Sequence, residues 1–181
     1  MKRIIALSSI CIMLLMACGA PKGLTEVKSP FSGSSYEGNN RYFRATASGE
    51  STDMETAKSK AMLTAKQKLA SFVQTQIKQV AENYSGERQA ENNIAEFNAR
   101  FQQLTREVLN QVLVEINVIG DKTYKNEKGN FVNYVALEAR KKDVYNKLKE
   151  IALQRQSLNE KDKQLVQQMI DKAIQDSENG N

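Results

Sequence analysis

Side chains that could do covalent or metal chemistry are scarce in this chain of 181 residues, which has two cysteines, Cys11 and Cys18, and no histidine. Histidine is the commonest general base near neutral pH and the commonest metal ligand in proteins. Its absence excludes Ser-His-Asp triads, histidine-paired cysteine nucleophiles, HExxH zinc sites and C2H2 zinc fingers. Two cysteines are also too few for a four-cysteine zinc site or an ordinary four-cysteine iron–sulfur cluster.

Carboxylates and glycine-rich loops are the remaining candidates for catalysis, and neither has a catalytic spacing. The chain contains no GxGxxG, GxxxxGKS/T or GxSxG sequence. Residues 121–132 do not fit an EF-hand loop, because a valine stands at its twelfth position. One group of carboxylates precedes a helical pattern and is predicted to serve in helix capping: Glu50, Asp53 and Glu55. We therefore expect no enzymatic activity, no cofactor and no bound metal ion.

Cys18 ends the pattern with the most specific chemistry in the sequence. Lys2 and Arg3 precede an apolar run over 4–15, and the sequence then reads Leu-Met-Ala-Cys at 15–18. A basic start, a short apolar run and a small residue before the cut are typical of a secretory signal peptide. The run is shorter than the roughly 20 residues that a transmembrane helix needs.

The Leu-Met-Ala-Cys sequence resembles the lipobox of bacterial lipoproteins, in which the cysteine thiol receives a diacylglyceryl group and signal peptidase II cleaves before it. We therefore predict that residues 1–17 are a signal peptide, cut between Ala17 and Cys18, and that Cys18 carries the lipid. The alternative is an ordinary signal peptide whose cleavage site happens to contain a cysteine. Cleavage before Cys18 also removes Cys11, so no thiol would remain for a disulfide bond.

Net charge changes with this cleavage. The chain has 26 basic and 21 acidic residues, and loss of Lys2 and Arg3 leaves 24 basic residues, so the charge falls from +5 to +3. So small a charge argues against nucleic-acid binding, although residues 41–44 mix basic and aromatic side chains. The basic run over 140–142 either contacts anionic headgroups or is a solvated helix start.

Residues 18–40 are predicted to form a flexible tether between the lipid and a folded domain. The segment is rich in glycine and serine, contains both prolines of the chain and has few apolar side chains. Such a composition does not bury enough surface to offset the entropy of ordering. Gly19 follows the cysteine, and no acidic cluster does. Both features favour an anchor in the outer membrane facing the periplasm, with the cell surface as the alternative.

The folded part is predicted to begin with a strand over 41–49 that turns Phe43, Ala45 and Ala47 towards the core. Thr52 and Glu55 have the spacing of a capping box at the start of a long helix. Apolar residues then follow at spacings of three and four: Met54, Ala57, Ala61, Ala65, Leu69, Phe72, Val73, Ile77, Val80 and Tyr84. This pattern is typical of an amphipathic helix with one buried face.

The rest of the chain is predicted to add two strands and three helices. Ser85-Gly86 breaks the first helical pattern, and a second amphipathic segment over 90–108 either continues that helix or, as the glycine favours, folds back beside it. A hairpin of strands over 112–124 and 131–140 follows, then a helix from Lys141 and a shorter helical segment over 165–174. The order β-α-α-β-β-α-α indicates an α+β fold with helices packed on one face of a small antiparallel sheet. Residues 41–153 would form the domain and 154–181 a C-terminal polar helix and tail, with 165–174 packed on the domain or on a second copy.

The stretch from Thr46 to Asp53, the alanines at 57, 61 and 65, and Leu69 together resemble the opening of the LPP-twenty lipoprotein family. That family comprises bacterial outer-membrane lipoproteins of roughly 20 kDa, and its pattern is also found in the N-terminal domain of the flagellar assembly protein T. The later stretch over 134–137 is similar to the aromatic-valine strand of the family. The resemblance spans 41–150 and implies a secreted, lipid-anchored α+β domain, with no agreed enzymatic activity and no site residues to transfer.

Two classes of function remain open on these grounds. The first is a non-catalytic envelope lipoprotein that acts as an accessory or interaction module, with a protein partner or a second copy of itself. The second is a lipoprotein that binds a ligand or an envelope polymer, such as peptidoglycan, a glycan or a small molecule. A deep pocket with converging polar groups would favour the second class, and a filled core with an exposed patch would favour the first.

Overall fold

The computed structural model describes residues 28–86 and 94–180. These residues form an α+β fold of three strands and four helices, in the predicted order. After a 3-10 turn at Ser34–Tyr36, the elements are β1 Tyr42–Ser51, α1 Met54–Gly86, α2 Ile94–Val112, β2 Asn117–Lys125, β3 Phe131–Arg140, α3 Lys141–Gln154 and α4 Glu160–Asn179. Ala17, Cys18 and the predicted signal peptide lie outside the described residues.

The sheet is antiparallel throughout and has the order β1-β3-β2, so β3 is its central strand. Apolar side chains of β1 and β3 stand opposite one another as Phe43 with Ala139, Ala45 with Leu137 and Ala47 with Val135. All six are buried. We call this side of the sheet the inner face, and it confirms the predicted orientation of β1.

Helix α1 packs on the inner face through small residues that recur every four positions. Ala57, Ala61 and Ala65 are completely buried, and the backbone of α1 comes very close to β1. A Cβ atom on Gly49 would stand 2.5 Å from both the Ala57 carbonyl oxygen and the Ala61 nitrogen. Such a distance is far inside van der Waals contact, so glycine is the residue that fits under the helix.

Two residues assigned to the core face of α1 are instead exposed: Met54 at 39% and Phe72 at 51%. Met54 is the first residue of the helix and lies beyond the close contact with β1. Phe72 precedes Val73, which is buried, and successive helical residues project about 100° apart. Because Val73 occupies the core position, Phe72 points away from it.

The start of α1 also differs from the prediction. Asp53 rather than Thr52 is the cap, because its Oδ1 accepts a hydrogen bond of 2.8 Å from the Thr56 N–H. Glu55 pairs with Lys58 at 3.0 Å, so the predicted capping box does not form. β1 extends to Ser51, two residues beyond its predicted end. That extension leaves Asp53 directly before the first helical residue.

The strand predicted from Val112 begins later. α2 continues to Val112, and β2 starts at Asn117. Val114 and Val118, two of the alternating valines of that predicted strand, are 79% and 51% exposed. Val108 is buried, and Val112 follows it at a helical spacing of four and packs partly against the core. The alternation over 112–118 therefore runs through the end of a helix, a loop and the start of β2.

Helices α3 and α4 complete the same core. In the segment 165–174, Val166, Met169, Ile170 and Ala173 are buried, so this segment packs on the domain, one of the two placements predicted. α4 begins at a cap in which Asn159 accepts a hydrogen bond of 2.8 Å from the Asp162 N–H. It continues through most of the predicted polar tail to Asn179. No helix in the two described stretches combines the length and apolar character of a membrane span.

Candidate functional site at the outer face of the sheet

The side of the sheet opposite α1, here called the outer face, has a different composition. Because side chains alternate along a strand, the pairing of the strands places these residues on it: Tyr42, Arg44, Thr46 and Ser48 from β1, Val132, Tyr134, Ala136 and Glu138 from β3, and Gly120, Lys122 and Tyr124 from β2. Ala136 is buried, whereas Tyr124 is 47% exposed. The outer face therefore presents aromatic and charged side chains to solvent.

Residues 28–40 cover one part of this face. A Cβ on Gly120 would stand 2.5 Å from Cε1 of Phe31, so the Phe31 ring lies on the bare backbone of β2. The Phe31 and Tyr36 ring centroids are 5.2 Å apart. The Asn39 side chain accepts hydrogen bonds of 2.9 Å from the N–H groups of Arg41 and Tyr42. These contacts differ from the flexible tether predicted up to residue 40; residues 18–27 of that tether lie outside the described part.

Phe31 adopts a backbone conformation that is uncommon for a bulky residue, with φ 57°. Such a conformation costs on the order of 1–3 kcal/mol and persists where surrounding contacts hold it. The ring contact with Gly120 is one such contact. Another is the Lys122 ammonium, which lies 5.9 Å from the centre of the Phe31 ring.

The uncovered part of the outer face carries a tyrosine pair. Tyr124 and Tyr134 have ring centroids 5.8 Å apart and planes at 80°, an edge-to-face arrangement. On the β1 side, the Arg44 guanidinium lies 5.0 Å from the centre of the Tyr42 ring and pairs with Glu138 at 2.6 Å. The tyrosine pair is thus the exposed aromatic surface, while Arg44 is already engaged.

The two edges of the sheet differ in their hydrogen bonding. Along β1, lysines of α1 reach over the edge: Lys60 donates to the Glu50 carbonyl and Lys68 to the Thr46 carbonyl, both at 3.1 Å. The Tyr42 carbonyl accepts from the Asn39 N–H at 3.0 Å. Three edge carbonyls of β1 therefore have partners within the chain, and these contacts oppose pairing with another strand.

β2 forms the opposite edge. Within residues 28–86 and 94–180, no residue outside β3 hydrogen-bonds to its backbone. Val118 is half exposed on this strand, and a register shift between Val118 and Gly120 interrupts the pairing with β3. Lys122 and Lys125 are both exposed, and Lys125 lies 5.4 Å from the centre of the Phe131 ring. β2 is thus an open edge with a net charge of +1, from Lys122 and Lys125 against Asp121.

The carboxylates singled out in the sequence have structural partners. Glu50 accepts hydrogen bonds of 2.9 Å from Asn126 and 2.8 Å from Asn130, which tie the end of β1 to the turn between β2 and β3. These amides, Asn130 first, hold the pKa of Glu50 below its usual range. The Thr56 N–H similarly lowers the pKa of Asp53. Among the described residues, no three acidic side chains gather into a site for a metal ion.

Two cavities among the described residues lie between secondary-structure elements. One of about 280 Å³ between α1 and α2 is lined by Gln74, Phe101 and Thr105. Another of about 240 Å³ lies where α2, β3 and α3 meet, and includes Glu115, Glu138 and Asp143. Both are open grooves lined by amides or charged groups, and Glu138 is already paired with Arg44.

Sequence reasoning missed the contribution of residues 28–40 because glycine, proline and serine dominate that stretch. The available signal was Phe31 and Tyr36, two aromatic residues in an otherwise polar segment. It also missed the difference between the strand edges, since that depends on which helix lies beside which strand. Comparison of the chain with protein-family models, with curated proteins and with solved structures found no match in any of the three.

Proposed function

We propose that the protein is a lipid-anchored accessory protein of the bacterial cell envelope that binds a partner protein and catalyses no reaction. The lipid on Cys18 would hold it in the outer membrane, with the folded domain facing the periplasm. The support for the anchor is the lipobox-like Leu-Met-Ala-Cys sequence, preceded by a basic start and a short apolar run. Membership of the LPP-twenty family would imply the same anchor.

The contrast between the two sheet edges carries the proposal of partner binding. An extended segment of a partner can add a strand to an open edge, where its main chain supplies the hydrogen bonds. The edge of β1 is closed to this by Lys60, Lys68 and Asn39. The edge of β2 is open, and Tyr124 and Val118 offer exposed apolar surface beside it.

The charges on β2 narrow the kind of partner protein that can add a strand there. Lys122 and Lys125 favour an extended segment that carries acidic side chains, because opposite charges on paired strands are stabilising. A second copy of the chain would add a strand with the same net charge of +1, and it would therefore gain less from charge pairing than an acidic segment does. We therefore assign the partner as a different protein with an acidic extended segment.

Binding of an envelope polymer is the alternative function. Exposed tyrosine rings can stack on sugar rings, and Tyr124 and Tyr134 form such a pair on the outer face. The two functions separate experimentally, since strand addition depends on Lys122 and Lys125, whereas sugar stacking depends on the tyrosine rings.

The anchor is tested by metabolic labelling with a palmitate analogue. The wild type and the Cys11→Ser variant should incorporate the label, and the Cys18→Ser variant should lose it. Cys11→Ser is the matched control, because it removes the other thiol of the chain. Equal labelling of both variants would overturn the assignment of Cys18.

Partner binding is tested by placing a photo-crosslinking amino acid at Val118 of the full chain in the bacterium that encodes it. We expect one discrete crosslinked protein from this position. The same group at Leu63, which is 60% exposed on α1, serves as the control and should give none. Adding Lys122→Glu and Lys125→Glu should abolish the product at Val118.

Two outcomes would contradict partner binding at β2. The first is a product at Val118 that persists at equal yield after both lysines are reversed. The second is an absence of crosslinked protein together with sedimentation on purified peptidoglycan that Tyr124→Ala abolishes. The second result would favour the polymer-binding alternative.

A further inference from the structure

A cleft of about 300 Å³ lies at the corner where β1 begins, β3 ends and α4 finishes. Its lining residues are Arg41, Tyr42, Arg140, Lys142, Ser177 and Glu178. Three of these six are cations and one is an anion. Arg41 directly precedes β1 and Arg140 ends β3, and the two lie close because Tyr42 pairs with Arg140 in the sheet. Lys142 follows in the first turn of α3.

The cations of this cleft are only partly neutralised. Lys142 donates to the Glu178 carboxylate at 2.7 Å. The guanidinium groups of Arg41 and Arg140 form no hydrogen bond or ion pair with any residue in the described part of the chain. Both nevertheless act on Glu178, whose pKa lies below its usual range because of the Lys142 hydrogen bond first and of the charges of Lys142, Arg140 and Arg41 after it. Glu178 thus sits in a field set by three cations.

Other charged groups near the corner are of both signs, since Lys141 and the carboxylates of Asp143 and Asp176 all lie close to it. The Lys141 ammonium lies 5.1 Å from the centre of the Phe43 ring, and burial lowers its pKa. The N-terminus of α3 also begins here, and the Arg140 side chain makes no capping hydrogen bond to it. Helix N-termini favour negative charge. Burial first, and the charge of the nearby Asp176 second, raise the pKa of Tyr145 to about 12.

We infer that this cleft, lined by Arg41, Arg140 and Lys142, is a binding site for a phosphate group, and that the Glu178 carboxylate occupies it when no phosphate is bound. Guanidinium groups bind phosphate oxygens through paired N–H donors, and Arg41, directly before β1, and Arg140, at the end of β3, both line this one opening. The site adds to the proposed function and does not depend on β2 or on the lipid of Cys18. The phosphate could belong to a free anion or to a phospholipid headgroup.

Calorimetric titration of the full chain, extracted in a neutral detergent, tests the site with inorganic phosphate at constant ionic strength. We expect saturable binding that Arg41→Gln or Arg140→Gln weakens by about tenfold, since hydrogen bonds to charged groups are among the stronger ones. Arg106→Gln is the matched control, because Arg106 is exposed on α2 and its replacement removes one charge far from the lining of the cleft. It should bind as the wild type does.

Glu178→Gln gives a test of opposite sign. Removal of the competing carboxylate should tighten phosphate binding several-fold. If phosphate binding depended only on the net charge of the protein, loss of any acidic residue would tighten it equally. Glu55→Gln, at an exposed position of α1, is the control for that comparison. A parallel titration with phosphatidylglycerol in the same micelles, against phosphatidylcholine, separates a lipid headgroup from a free anion.

Absence of saturable binding to both phosphate and phosphatidylglycerol would overturn the inference. Equal losses in Arg41→Gln and Arg106→Gln would do the same, because they would indicate a response to net charge. Binding of phosphatidylglycerol alone assigns the headgroup as the ligand, and binding of phosphate alone assigns a free anion. The photo-crosslinking result at Val118 stays unaffected in either case, so the two proposals fail separately.

Discussion

The inner and outer faces of the sheet are made by the same three strands, and they contain glycines under equal steric restriction. Gly49 on the inner side has backbone atoms of α1 within 2.5 Å of its missing Cβ. Gly120 on the outer face has the ring of Phe31 at the same distance. The neighbour of Gly49 belongs to a helix of 33 residues that carries much of the core. The neighbour of Gly120 is one side chain on the short segment that precedes β1.

This difference indicates where the stability of the domain lies and where its surface can adapt. Close packing on the inner face joins β1 to α1 and leaves little room for change. On the outer face, the segment that carries Phe31 covers one part and the tyrosine pair is exposed on another. A binding surface belongs on the side that can change without unfolding the domain, and the open edge of β2 adjoins that side.

Truncation after Leu153 should have the largest effect, because α4 belongs to the inner-face core. It removes Val166, Met169 and Ile170, each fully buried, and truncation of one such side chain typically costs about 2–5 kcal/mol. The total stability of a domain is about 5–15 kcal/mol. We therefore expect the truncated chain to lose its cooperative thermal transition in circular dichroism. Truncation after Asn179 is the control, and an unchanged melting temperature after Leu153 would contradict the packing of α4.

Gly49→Ala should give the next largest effect. The added methyl group overlaps the backbone of α1, and overpacking of this kind costs about 1–3 kcal/mol. We expect a melting temperature lower by roughly 2–10 °C. Ser48→Ala, at the exposed neighbouring position, should leave it nearly unchanged. Equal melting temperatures for Gly49→Ala and Ser48→Ala would show that α1 does not press on β1.

Gly120→Ala should destabilise the domain much less, by under about 1 kcal/mol. Displacing the Phe31 ring loses its contact with β2 but also releases the backbone strain of Phe31, and the two changes oppose one another. Phe31→Ala and Gly120→Ala should be non-additive, because both disrupt the same contact. Chemical denaturation of the two single variants and the double variant measures this. Strictly additive effects would place Phe31 away from Gly120.

The smallest effect concerns the pH dependence of stability. Because the pKa of Asp53 is lowered in the folded state, its cap stabilises α1 fully near neutral pH and loses that effect as the pH falls below about 4. Glu50 and Glu178, whose pKa values are also lowered, contribute in the same direction. Asp53→Asn keeps a capping oxygen that does not titrate, so its melting temperature should fall less between pH 7 and pH 3 than that of the wild type. An identical fall in both proteins would exclude Asp53 as a source of acid sensitivity.

Much of the fold was predictable because local patterns and the final contacts agree. The alternation of Phe43, Ala45 and Ala47 and the alanines of α1 predicted which surfaces meet, and the structure confirms them. The predictions were wrong where two local patterns compete. At Val112 a helical spacing and an alternating one overlap, and the packing of Val108 decides for the helix. At Asp53 the length of β1 decides which side chain reaches the free N–H groups of α1.

The candidate sites were less predictable, since each brings together residues that are distant in sequence. The sequence identified Cys18 and the basic runs near 41 and 140. Only pairing of Tyr42 with Arg140 places those runs in one cleft, and only the end of α4 adds Glu178 to it. The difference between the two edges likewise depends on the position of α1. Its lysines bond carbonyls at the β1 edge and leave the β2 edge open.

By itself, the sequence determined the order of the elements, the faces they bury and the lipobox-like motif, because propensity, periodicity and short motifs act over a few neighbouring residues. Tertiary structure alone decided which strand edge stays open, where Phe31 lies and which charges share a cleft. These features depend on contacts over long sequence separations, such as the hydrogen bond of 2.7 Å from the Asn40 side chain to the Gly180 carbonyl. Local sequence limits where such contacts can form, but the packing of α1 and α4 on the sheet selects the ones that do.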